Sequence, residues 1–126
     1  MNGDDFTFDE YQSNAVKTMV FPRVFVEDDT DSLGYVEVPW LYPVLGLAGE
    51  AGEIAEKLKH VLRDNKGHIN AAQMTEIGKE LGDQLWYIAI IAHKLGLSLS
   101  KIAKFNNEKL LSRQKRGKLL GRGDNR

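Results

Sequence analysis

The chain has 126 residues, of which 42% are hydrophobic and 28% charged, with a net charge of −1. That length suits a single domain, 1–126, with a modest core, and the near-neutral balance makes nucleic acid an unlikely partner. Cysteine is absent, which excludes disulfides and thiolate sites. No apolar run reaches transmembrane length and the opening residues are acidic, so no membrane partner is expected and a cytoplasmic protein is.

A first helix is predicted from about Phe8 to Met19, with Thr7 as N-cap and Glu10 three residues later in a capping-box pattern. The stretch Phe21–Tyr42 reads as an irregular arm, broken by Pro22, an acidic run at 28–31, Gly34 and Pro39, with Tyr35–Val38 as a short strand or merely extended. The second helix is predicted from near Pro43, a residue suited to a first turn, to about Arg63, and Asp64–Gly67 ends it. A third begins after the cap Asn70 and runs to about Leu95, with Gly96 as its stop. Ser98 or Ser100 caps a fourth, reaching roughly Arg113. Short connections then imply an all-α fold, an antiparallel four-helix bundle. Beyond it, from about 114 to 126, lies a basic tail: seven basic residues against Asp124 between Lys109 and Arg126. The tail is either solvated and flexible or folds its first part back onto a phosphate.

Two acidic doublets stand out. Glu50 and Glu53 share the second helix, and Glu80 and Asp83 share the third; in each, a spacing of three sets both carboxylates on neighbouring positions of one face. Four acids converging between antiparallel helices would repel one another unless cations lay among them. Hard oxygen ligands of this kind favour Mg²⁺, with Mn²⁺ as an alternative. Glu53 has Lys57 one turn away, and Lys79 can serve Glu76 or Asp83. Glu50 and Glu80 have no cation at such spacing on their own helices and need a partner from elsewhere, or water.

The apolar stripe of the second helix is Leu47, Ala51, Ile54, Leu58 and Val61; that of the third is Met74, Ile77, Leu81, Leu85, Ile88 and Ala92. Asp83 lies nearly opposite the latter, so the acids can meet only if the third helix buries a second face, for which Trp86 and Ile90 are the candidates. Gly49, Gly52, Gly78 and Gly82 interrupt the helices at about 1 kcal/mol each relative to Ala. Close approach of backbone, metal or substrate would offset that cost. The run Leu85–Ala92 is apolar almost all round, which predicts burial against another subunit and hence homo-oligomerisation. No Glu-x-x-His pair supports a di-iron site, nothing suggests zinc, and there is no glycine-rich phosphate loop or recognisable nucleophile motif.

The blocks Gly46–Lys59, Lys79–Tyr87, Asn106–Arg113 and Phe8–Gln12 together resemble a MazG-like nucleotide pyrophosphohydrolase of the all-α NTP pyrophosphatase superfamily. The resemblance covers most of residues 6–118 and leaves out the arm. It implies a helical homodimer or dimer of dimers that hydrolyses nucleoside triphosphates, dNTPs above all, to monophosphate and pyrophosphate. By the same resemblance Glu50, Glu53, Glu80 and Asp83 would be the Mg²⁺ ligands and catalytic acids. Asn106, Lys109 and Arg113 would face the nucleotide or its phosphates. Tyr87, and Trp40 by residue type, would stack on a base, while Trp86 packs in the core. Many relatives place a further acid where this chain has Gly49. The alternatives are a non-catalytic helical module that binds nucleotides or a protein partner, and a same-fold hydrolase for phosphoribosyl-ATP or dUTP. A basic-tail nucleic-acid binder is a third, recognisable by steep salt dependence.

Overall fold

A computed structural model of the chain describes residues 5–30 and 32–123. Four helices follow one another as α1 (Phe8–Lys17), α2 (Leu41–Asn65), α3 (Ala71–Lys94) and α4 (Leu99–Lys115), with strands β1 (Phe25–Glu27) and β2 (Tyr35–Glu37) between α1 and α2. Local chemistry sets most boundaries. The Thr7 hydroxyl accepts from the Glu10 amide, and the Ser98 hydroxyl from that of Lys101. Asn70 and Gln73 form a reciprocal capping box. At the end of α2 the chain turns through left-handed Lys66 (φ 50°) and Gly67 (φ 84°), and Gly96 (φ 71°) lets the Leu97 amide return to the Ala92 carbonyl at 2.8 Å. Helix α2 begins two residues before Pro43, and α4 runs two residues past Arg113.

The spine is the pair α2 and α3. Tyr87 meets Gly46 and Lys57 meets Glu80, so the position on one helix rises as the other falls and the two run antiparallel. Helix α1 covers another side of α3, and α4 packs on α1 and α3 but not on α2. The core lies between α1, α3 and the start of α4: Ala15, Ala89, Ile90 and Leu99, with Tyr11, Val16, Met19, Phe21 and Trp86 against them. Gln12 clasps this junction. Its amide nitrogen donates to the carbonyls of Ala89 (3.2 Å) and Leu97 (2.9 Å), and its carbonyl accepts from the Leu99 amide at 3.0 Å. Asp9 adds a second tie, accepting from the Ser98 hydroxyl (2.7 Å) and the Ser100 amide (3.2 Å).

Two expectations are corrected. The condition that α3 bury a second face is met at Trp86, Ala89 and Ile90, but half of its apolar stripe is outward: Met74, Leu81 and Ile88 are exposed, whereas Ala92 is buried. α1 takes the aromatic side of α3, leaving the opposite side bare. The arm is not irregular throughout, because β1 pairs antiparallel with β2 in the register Phe25 to Glu37. Its turn is fixed by the Asp28 carboxylate, which accepts from the Thr30 amide at 2.9 Å. In the tail, residues 116–123 are exposed and turn back over the end of α4, where the Lys118 amide donates to the Arg113 carbonyl at 2.8 Å. Asp124 lies outside the described residues.

Gln12→Ala should lower stability by about 2 kcal/mol, because three backbone groups lose their partner at once, measurable by urea unfolding. Hydrogen bonds from Ser98 and Ser100 hold the Asp9 carboxyl below its ordinary value. Its contribution is therefore complete above the ordinary carboxylate range and disappears as pH falls through the lowered value. Asp9→Asn should flatten that acid limb.

Candidate functional site

Near the middle of the α2–α3 pair, Glu50 from α2 meets Glu80 and Asp83 from α3. One carboxylate oxygen from each lies within 4.8 Å of the other two. Oxygens sharing one Mg²⁺ at about 2.1 Å can stand no more than about 4.2 Å apart, so a modest side-chain adjustment would let the three share an ion. Three carboxylates with room for water also suit an ion that keeps part of its hydration shell. Glu50 and Glu80 are half-buried and Asp83 is exposed. The Glu50 carboxyl is pushed above its ordinary value, first by burial, then by its hydrogen bond with Glu80 and by the charges of Asp83, Glu80 and Glu53.

Glu53, the fourth acid of the doublets, is exposed one turn along α2. It lies outside the cluster and acts on Glu50 through its charge. The expected partner of Glu53 has gone elsewhere: the Lys57 ammonium stands 3.4 Å from a Glu80 oxygen, across the helix pair. Lys79 pairs with Glu76 at 2.8 Å. The absence of a same-helix cation beside Glu80 was the signal for such a cross-helix partner.

Two tyrosines flank the acids. The Tyr87 ring presses on the backbone at Gly46, where an added Cβ would come within 2.3 Å of ring carbons. Its hydroxyl is pushed up by burial, then by Tyr42, Glu50 and Asp83, so it stays protonated. Tyr87 is thus wedged beside the site and set edge-on to Trp86, with ring centroids 5.0 Å apart. Tyr11, which the sequence patterns did not single out, donates from its hydroxyl to the Gly82 carbonyl at 3.4 Å. Burial and then the Asp83 charge raise its value. Close backbone approach occurs at Gly46, and not at Gly49, Gly52, Gly78 or Gly82, where a Cβ would meet open space.

The α4 residues are not part of the carboxylate cluster, and α4 packs on α1 and α3 but not on α2. Asn106 is exposed and Lys109 half-buried. Arg113, expected to face the nucleotide, is instead 3% exposed, enclosed by the returning tail, and its guanidinium donates to the Gly123 carbonyl at 3.4 Å. Trp40 is exposed at the start of α2, while the Trp86 indole donates to Thr18 at 2.8 Å as part of the core.

Residues 43–117 match the family model of the MazG nucleotide pyrophosphohydrolase domain, a range that contains both acidic doublets and the α4 residues. The chain belongs to the MazG family. This MazG protein is also similar to the Gene 37 protein of Mycobacterium phage L5, at 42% identity over 118 residues, covering 94% of this chain and 97% of that protein. No solved structure matches it. The match begins after the hairpin, so α1 with Tyr11 and the two strands lie outside the MazG model. Among the described residues no single helix is long and apolar enough to cross a membrane.

Two outcomes are expected. Gly46→Ala should destabilise the protein by about 1–3 kcal/mol through the clash with Tyr87. Adding Tyr87→Ala should cost less than the sum of the two single changes, as a double-mutant cycle would show. Without metal, Glu50→Gln should raise the melting temperature at neutral pH. The ionised Glu50 opposes folding above its raised value, so that advantage should shrink as pH falls through it.

Proposed function

We propose that the protein hydrolyses nucleoside triphosphates, dNTPs in the first place, to monophosphate and pyrophosphate with Mg²⁺, Mn²⁺ serving as an alternative. The observation that carries this reading is the convergence of Glu50, Glu80 and Asp83 from two helices within a MazG domain. Bound by these three residues, the ion would neutralise triphosphate charge and polarise the α-phosphoryl group. Glu53, exposed beside them, is assigned to complete the ligand set and to orient the attacking water as general base. The water oxygen bonds to the α-phosphorus, the bond to the α–β bridging oxygen breaks, and its electron pair leaves with pyrophosphate. Tyr87 offers an edge of aromatic surface to the nucleoside.

The functional unit is proposed to be a homodimer or a dimer of dimers. Leu45, Leu62, Met74, Leu81 and Ile88 expose apolar surface on the α2–α3 pair, which a second copy would remove from water. Such a copy could also bring its Asn106 and Lys109 to phosphates bound at the acids. The substrates belong to the cytoplasm, and the reading assigns no nucleic-acid or membrane partner.

The test is a panel of dNTPs and NTPs, with Mg²⁺ or with EDTA, resolved by chromatography. Monophosphate and pyrophosphate should form only with metal, and Asp83→Asn or Glu53→Gln should abolish turnover while leaving helicity and oligomer size unchanged. Diphosphate with orthophosphate would reject attack at the α-phosphorus. Retained activity in both variants would reject the carboxylate assignment, and a monomer by light scattering would reject the assembly.

A further inference from the structure

Lys57 has two acids within its reach and takes the less local one. Glu53 lies four residues before it, in the order that favours an intrahelical pair, yet the ammonium stands 3.4 Å from Glu80 on the other helix. Among the described residues, this is the cation whose ion pair reaches the carboxylate trio. Lys57 also borders a cavity of about 290 Å³ between the end of α2 and the start of α3, lined with it by His60, Asn70, Gln73 and Glu76. The one acid in that lining, Glu76, is already paired with Lys79.

Position along α2 gives the helix pair a direction. Gly46, beneath Tyr87, comes first, then Glu50, Glu53 and Lys57. At 1.5 Å per residue, the aromatic end lies about 6 Å before Glu50 and the lysine about 10 Å beyond it. A nucleoside triphosphate has the same asymmetry: a flat, largely apolar end and a chain of phosphates that carries its charge away from it. A divalent ion on the trio would compete with that ammonium for the Glu80 carboxylate and so would loosen a cation at the mouth of the cavity.

We propose that the substrate lies along the α2–α3 pair with its nucleoside toward Tyr87 and its β- and γ-phosphates toward Lys57, which holds the departing pyrophosphate. This deepens the pyrophosphohydrolase reading and rests on it. Lys57 makes and breaks no covalent bond. It keeps its proton throughout, and its ammonium donates hydrogen bonds to phosphate oxygens whose charge rises as the α–β bridge breaks.

The experiment is calorimetric titration of inorganic pyrophosphate and, separately, of a deoxynucleoside monophosphate, with Mg²⁺ present, into wild type, Lys57→Met and Lys57→Arg. Manganese titration followed by electron paramagnetic resonance, without nucleotide, is run in parallel. Lys57→Met should weaken pyrophosphate binding by about tenfold or more, the scale of one charged hydrogen bond. It should leave the monophosphate within about twofold and Mn²⁺ bound as tightly as in wild type or more so, and Lys57→Arg should retain pyrophosphate. Unchanged pyrophosphate affinity in Lys57→Met overturns the proposal. An equal loss of both products also overturns it, since that is the mark of a structural lysine. A wild type that releases pyrophosphate from dNTPs while Lys57→Met binds it normally defeats the Lys57 assignment alone. A wild type that cleaves no triphosphate defeats the reading on which it rests.

Discussion

Glu50, Glu80 and Asp83 bring three carboxylate oxygens within 4.8 Å of one another, and the helices that carry them must hold that repulsion without flying apart. The offsetting interactions lie to either side of the acids rather than among them. On one side Tyr87 is keyed into the notch at Gly46, and on the other Lys57 reaches across to Glu80. The remainder of the fold steadies α3, the helix that supplies two of the three acids. Trp86 and Ile90 are gripped by α1, and Gln12 ties the turn after α3 to the start of α4. The site is an electrostatic liability maintained by packing, as expected where carboxylates are arranged for a cation rather than for one another.

The same arrangement divides the helix pair into regions of different chemistry. Aromatic surface lies toward the start of α2, carboxylates occupy the middle, and a lysine beside a polar cavity stands toward its end. The pair also carries exposed apolar side chains, Leu45, Leu62, Met74, Leu81 and Ile88 among them.

The sequence was most informative where a signal is local. Thr7, Asn70, Ser98 and Gly96 each announce a helix end through chemistry spanning three or four residues, and each performs that part. It was least informative where several faces compete. Helix α3 is apolar nearly all round in its second half, so periodicity alone offered the stripe through Met74, Leu81 and Ile88 as core, whereas α1 packs on Trp86 and Ile90. Strand β1 was missed because its pairing with β2 is non-local. Of the four acids singled out by spacing, three converge and Glu53 stands a turn away. Spacing also could not show which glycine receives a ring, and the four in or beside the doublets drew attention from Gly46. Nor could it show that Lys57 prefers an acid on the neighbouring helix.

The hairpin has a consequence of another kind. Its strands pair chiefly with each other, and its base is closed by the Arg23–Glu37 ion pair at 2.7 Å and the Val38 amide on the Val24 carbonyl at 2.9 Å. Because those two ties fix where the chain leaves and rejoins the helical body, lengthening the tip costs only the slowly growing entropy of closing a longer loop. The tip is therefore a natural place for lineages to accept insertions, and for a fluorophore or an affinity peptide to be grafted, with the carboxylates undisturbed.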